Sequence, residues 1–501
     1  MTENKSRQPK NTQTAAKAGT VGGVCYIDRL QNEILWEIFL FYSSTTTVAV
    51  FENYGRSQNS RSRFENNGPS RINTNYIARV NKRWNTIALA IPSLWSKIYI
   101  SIQAFSHGRS LEAFLDHRLK LSKDAPLDIC VLFSNNAADH NEYNGGDSDG
   151  DSDEDSDKAF PVLAKLFQHA HRWRSAVLQL PDELVDIKFP DTFLILQELE
   201  MRCASRIDAS PYPCPISRAP LLRKLATYMF SFGGSCGSSH LDEITLTWVI
   251  PDAVLGFLED ASPDCNAKVF TMYTPEIDEY AMPATTSRLK SLSFIQREDK
   301  EDYSDVHADL FKSLTLPNIE ELVFIDERTG RANRFKPSER SKVLFPVMDL
   351  LSMLSRSETS FMKLSHLEFG GHYISDQNLL NILTKLLALE FFGFKETCLL
   401  DENSRALTAH FLQGVMSADM VPQITQLELI FYDGIVPVDE LVSFLESRRP
   451  SLEGDESSMR SVPLKQIRIG ISSPQTCAAL TGRLSGLCSG GLIVEVSKPW
   501  F

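Results

Sequence analysis

The chain predicts an α/β protein: a short aromatic-rich helical unit near the N-terminal end, then a long region of strands and helices on a parallel sheet. Three observations carry this. Trp84 and Trp95 stand close together, flanked by apolar residues at helical spacing. After residue 170 a short phrase recurs, apolar-x-x-apolar-x-apolar. Between its copies lie helix-patterned stretches such as "DQNLLNILTKLL" (376–387) and "VDELVSFLESRR" (438–449). Strands alternating with helical patterns favour parallel pairing, because strands running the same way need a crossover to join them.

The chain has 501 residues, 43% of them apolar, enough for several domains or one long repeat array. Its net charge of −13 argues against the broad basic surface that nucleic acid or an anionic membrane requires. No run approaches the ~18–20 apolar residues of a membrane span. Residues 1–24 are polar and lack an apolar h-region, so a solvated, disordered tail is expected rather than a secretory signal. Nine cysteines without a C-x-x-C fit a reduced cytoplasmic or nuclear compartment with buried thiols.

The helical unit is expected over 25–100. In "YIDRLQNEILWEIFLFY" (26–42), Asp28 and Gln31 fit a D-x-x-Q capping box. Leu30, Ile34, Leu35, Ile38 and Phe39 then recur at helical spacing, and Trp36, Leu40 and Phe41 add apolar surface on the other sides. A short helix that is apolar nearly all round must be covered from several directions, and a partner is a natural candidate for one of them. Residues 43–71 are rich in Ser, Asn, Thr and Arg and read as a polar insert. Asn75 is the expected cap of one helix, "YIARVNKRWNTIALA" (76–90), with Ile77, Val80, Trp84, Ile87 and Ala88 in one stripe. Pro92 stops it, and Leu94 and Trp95 fold back against it.

Residues 101–133 hold an expected connecting helix and the first strand, in "LEAFLDHRLKLSKDAPLDICVLF" (111–133). Residues 134–158 form an acidic stretch with seven carboxylates between Asp147 and Asp157, read as a disordered linker. It is not an EF-hand: Gly150 at the sixth position puts Gly145 and Ser156 where the loop needs Asp and Glu.

Over 159–501 the phrase occurs as "WRSAVL" (173–178), "LQELEM" (196–201), "LRKLAT" (222–227), "LDEITL" (241–246), "LKSLSF" (289–294), "IEELVF" (319–324), "LSHLEF" (364–369), "LLALEF" (386–391), "ITQLEL" (424–429) and "LKQIRI" (464–469). Several spacings match the 20–29 residue period of leucine-rich repeats. No copy has the Asn or Cys that closes the regular repeat signature, so the asparagine ladder is absent and the turns must be satisfied differently. The expectation is an irregular leucine-rich-repeat-like solenoid with a parallel sheet and outer helices. One alternating set of strand residues then points to the concave face: Glu198, Glu200, Glu243, Glu321, Glu368, Glu390 and Glu428, against fewer bases, Arg202, Lys224 and Arg468. Such a face would be acidic and suit a basic client segment. Glu as a soluble filler of exposed strand positions is the alternative.

The N-terminal residues resemble an F-box, most closely that of the large fungal F-box group. Its Leu-Pro-x-Glu-Ile-Leu start is matched by Leu30-Gln31-Asn32-Glu33-Ile34-Leu35, with Gln31 where the family has Pro. Its Val-x-(Arg/Lys)-x-Trp helix is matched by Val80-Asn81-Lys82-Arg83-Trp84, and its Pro-x-Leu-Trp close by Pro92-Ser93-Leu94-Trp95. The resemblance implies docking to a Skp-type adaptor within a cullin-based (SCF-type) ubiquitin ligase. Leu30, Ile34, Leu35, Ile38, Phe39, Val80, Trp84, Leu94 and Trp95 would be box core or adaptor-facing, and the repeat surface would hold a protein client. The alternative is a repeat scaffold with no ligase link.

Nothing in the sequence gathers a nucleophile with a base. "GGSCG" (233–237) matches G-x-S-x-G around Ser235, but a loop and a strand follow instead of the helix that a nucleophile elbow needs. His169 and His171 form the one close His pair, too little for a metal site. The expectation is a non-enzymatic protein without metal or cofactor.

Overall fold

The computed structural model describes residues 29–44, 74–101, 111–132, 161–180, 189–203, 212–213, 218–228, 232–233, 240–272, 282–296, 304–327, 344–357, 360–396, 405–416, 420–431, 436–448, 462–471, 473–484 and 492–497. The expected N-terminal tail, most of the insert at 43–71, the acidic stretch at 134–158 and Ser235 lie outside them. The chain divides into two compact units, Met1–Trp95 and Ser96–Phe501.

The first unit holds helices α1 (Asn32–Ser44), α2 (Thr74–Arg79) and α3 (Lys82–Leu89) and a 3-10 turn, Pro92–Leu94. Helix α1 begins at Asn32, so Gln31 stands just before it and not inside its first turn, as the capping box requires. The single helix expected over 76–90 is two. The backbone of Asn81 is extended, and its side-chain oxygen accepts the N–H of Trp84 at 2.9 Å. A side chain that offers the backbone this alternative breaks one helix and caps the next. Asn75 therefore lies inside α2. Pro92 holds Ile91 extended, which ends α3. The Trp95 indole then donates to the carbonyl of Ala88 at 2.8 Å. Leu35, Phe39, Ile77, Ala78, Ile87, Ala88, Ile91, Leu94 and Trp95 are buried. The larger of these are each worth ~1.5–3 kcal/mol.

The second unit is mixed α/β, as the strand and helix spacing predicts, with one parallel sheet of 14 strands. The strands are β1 (Lys97–Ser101), β2 (Leu127–Leu132), β3 (Trp173–Leu180), β4 (Glu198–Cys203), β5 (Lys224–Tyr228), β6 (Glu243–Val249) and β7 (Asn266–Met272). They continue as β8 (Ser291–Gln296), β9 (Glu321–Asp326), β10 (His366–Gly370), β11 (Phe391–Lys395), β12 (Gln426–Phe431), β13 (Gln466–Ile471) and β14 (Ile493–Ser497). Each pairs with its neighbours in chain order. The intervening helices include α4 (Leu111–Ser122), α5 (Pro251–Glu259), α6 (Ser304–Ser313), α7 (Val347–Ser355), α8 (Ser360–Lys363), α9 (Asp376–Leu383), α10 (Ala409–Val415), α11 (Val438–Ser447) and α12 (Pro474–Leu484).

Two registered rows of the sheet pack with these helices into one core. The first runs from Ile98 through Ile129, Leu199, Leu292 and Phe392 to Val494, and the second from Ile100 through Val131, Met201, Phe294 and Phe394 to Val496. In the second row Phe294, Phe324 and Phe369 stack, with centroids 5.5 and 5.4 Å apart.

The backbone groups around the strand starts are satisfied in two ways. The residue before many strands offers one carbonyl to two successive N–H groups at the start of the next strand, that of its first residue and that of the residue before it. The Glu320 carbonyl accepts from Ser365 and His366 at 2.9 and 3.0 Å, and that of Glu390 from Thr425 and Gln426 at 2.9 and 3.0 Å. At helix ends, buried arginines satisfy the carbonyls of the preceding turn. Arg448 donates to Val421 and Ile424 at 3.3 and 3.2 Å, and Arg172 to Ala125 at 2.9 Å.

Three strand expectations change. Leu127–Leu132 is the second strand; β1 precedes it, within the span assigned to the helical unit. "LLALEF" is out of frame: β11 starts at Phe391, and the phrase in register is "LEFFGF" (389–394). Strands β7 and β14 were missed because Asp264 and Gly491 stand where the phrase needs its first apolar residue.

Candidate functional site

Two surfaces qualify, one on each unit. On α1, Leu35 and Phe39 face inward, and Ile34, Ile38 and Phe41 follow at i, i+4 and i+7 beside them. These three stay 45%, 44% and 72% exposed, and Val80, at the joint between α2 and α3, stays 56% exposed. Trp36 is exposed on the opposite flank of α1. The nine predicted box residues therefore sort by role. Leu35, Phe39, Leu94 and Trp95 are core. Ile34, Ile38 and Val80 are surface. Leu30 and Trp84 are half-buried, and the Trp84 ring packs 5.0 Å from that of Phe39.

Arg83 straps the unit together: its guanidinium donates to the Asn32 side-chain oxygen at 3.0 and 2.7 Å and to the Leu30 carbonyl. Sequence reasoning recorded Arg83 only as a motif letter. Its link to the start of α1 spans the insert and has no local signature.

On the sheet, one row of the face turned away from the helices runs Glu198, Lys224, Glu243, Asn266, Ser291, Glu321, His366, Phe391. Two residues further along lie Glu200, Lys268, Glu368, Glu428, Arg468 and Glu495, and beyond them Arg202 and Lys395. Among the residues named, seven carboxylates stand against five bases, so the face keeps an acidic surplus but carries more bases than expected, and most of its charges are paired. Lys268 reaches Glu243 at 3.3 Å, Lys395 reaches Glu368 at 2.7 Å, and Arg468 reaches Glu428 and Glu495 at 3.0 and 2.9 Å. Lys224 lies 3.8 Å from Glu198. Glu321 accepts from the Ser291 hydroxyl at 2.7 Å. Glu200 is buried with Arg202, and burial, only partly offset by that cation, holds its carboxyl above the usual range. Glu390 is not in this set; it precedes β11 and is exposed at the strand start. The count of bases fell short for the same reasons as the strands: Lys268 sits on a strand without the phrase, and Lys395 on the misframed one.

Both histidines of the close pair lie among the described residues. The His169 and His171 rings lie 6.4 Å apart, and no group of three or more potential metal ligands occurs there. Asp376 meets His410 at 3.1 Å and the Thr408 hydroxyl at 2.9 Å, but Thr408 is occupied in capping α10. Burial pushes the Cys130 and Cys265 thiols up to about 12, which leaves them as poor nucleophiles. No described helix is long and apolar enough to cross a membrane. No protein-family model matches this chain, and no curated protein matches it.

Proposed function

We propose that this protein is a substrate receptor of a cullin-based ubiquitin ligase. In this reading its N-terminal unit is an F-box that docks on a Skp-type adaptor, and its second unit is an irregular leucine-rich-repeat-like solenoid that holds a protein client. One observation carries the proposal. Of the residues that the resemblance assigns to the box, Ile34, Ile38 and Val80 stay exposed, beside Phe41, while Leu35, Phe39, Leu94 and Trp95 are buried. Exposed aliphatic side chains on so small a unit suit a protein partner.

The receptor supplies no reacting group. It raises the effective concentration of the client's lysines near a charged ubiquitin carrier. The client would lie on this ion-paired, acid-rich face, where Glu198, Glu243, Glu321, Glu368 and Glu428 stand among Lys224, Lys268, Lys395 and Arg468. Such a face selects a client by matching charges of both signs, with basic groups of the client meeting the surplus carboxylates. A cytoplasmic or nuclear setting follows from the same role.

The test is capture of a purified Skp-type adaptor by the full chain. Wild type binds; Ile34→Asp and Val80→Asp abolish capture and keep the wild-type circular dichroism spectrum. If wild type fails to bind the adaptor, the ligase role is lost and a repeat scaffold is what stands.

A further inference from the structure

The two ends of the sheet are finished differently. At β1, Ile98 and Ile100 are buried. At β14, Val494 and Val496, in the same two rows, are only half-buried, and Ile493 on the other face is 57% exposed. Elsewhere in both rows every side chain is buried. The hydrogen-bond pattern also stops there. Ile493 donates to the Lys465 carbonyl at 2.9 Å. In a parallel ladder this directs residues 493, 495 and 497 at β13 and turns the N–H and C=O of Val494 and Val496 outward. Among the described residues, β14 has no neighbour on that side.

We propose that this edge pairs with the same edge of a second copy, antiparallel, about a two-fold axis at Glu495. Val494 then exchanges both main-chain hydrogen bonds with Val496 of the second copy, and the reverse. That one operation covers the two valines left open in the core rows, each beside the other's β-branched partner. Glu495 meets its own copy across the axis, and each carboxylate already carries Arg468 at 2.9 Å, so the centre holds two ion pairs, not two bare charges. No proline and no lysine lies within Ile493–Ser497 to block pairing. So short a strand pair falls below the ~1,200 Å² of a standard interface, so the dimer is weak and concentration-dependent.

Sedimentation equilibrium of the full chain over a wide concentration series tests this. The mean mass of wild type rises from 56.3 kDa toward twice that value. Val494→Pro removes an outward N–H that the sheet does not use and holds the mass at the monomer. Amide exchange gives an independent measure: the N–H groups of Val494 and Val496 slow as wild-type concentration rises. A wild type that stays monomeric, or a Val494→Pro variant that dimerises like wild type, overturns the proposal. So does edge protection already complete in the monomer, which would mean that a segment of this chain covers the edge.

Discussion

Helix α1 and the parallel sheet treat apolar surface in opposite ways. In the sheet, alternation sends one residue of each pair into a core shared with the helices and the other to a face where charges pair. Only the last strand leaves core-row positions partly open. In the helical unit, α1 presents more apolar side chains than its neighbours cover, and Ile34, Trp36, Ile38 and Phe41 remain exposed. A surface of the first kind needs nothing further to be stable in water. One of the second kind leaves apolar area in water, which the proposed adaptor would cover.

Core truncation gives the largest contrast. Phe324 lies between Phe294 and Phe369 and is fully buried. Phe324→Ala is expected to cost about 3–5 kcal/mol in denaturant unfolding of the full chain. Ile38→Ala, on the exposed side of α1, stays within about 0.5 kcal/mol. Equal losses would mean that the exposed side of α1 is core after all. Within the helical unit, Trp95→Phe keeps an aromatic ring but removes the indole donor to the Ala88 carbonyl, which then keeps the Ile91 N–H at 3.2 Å. The expected loss is about 0.5–1.5 kcal/mol, read from the unfolding midpoint of the full chain. Asn81→Ala removes the cap of α3 for about 1 kcal/mol and favours the continuous helix that the sequence pattern suggests. A helical signal that rises as stability falls would mark that outcome.

Much of this arrangement was legible because burial leaves a periodic trace. Strand alternation gave the parallel sheet, and the aromatic spacing gave the helical unit with Trp95 in its core. What stayed hidden depends on contacts between distant residues. No pattern separates Ile34 from Leu35, since both are aliphatic and adjacent, and only the position of α3 decides which one is covered. Asn81 was legible as a breaker in principle, but the apolar stripe around it outweighed the signal. "LLALEF" shows how a run of leucines admits two frames, and only pairing with β10 selects Phe391 as the strand start. The ion pairing of the face depends on the strand assignment, so one slipped frame and one missed strand hid Lys395 and Lys268 together.

The smallest effect separates the charged face from the apolar one. Arg468 is about half exposed and contacts Glu428 and Glu495 on either side. Because water screens both contacts, Arg468→Met is expected to cost only about 0.2–1 kcal/mol, and less as salt is added. Phe324→Ala, by contrast, should lose about the same stability at every ionic strength, because no charge is involved. The salt dependence of the two variants thus distinguishes the faces even where their magnitudes overlap with experimental error. A large, salt-independent loss at Arg468 would show that its aliphatic stem packs over the sheet and that this face is held by burial as well as by charge. A client would then meet apolar area there, and the charge-matching account of client choice would have to give way to one based on shape.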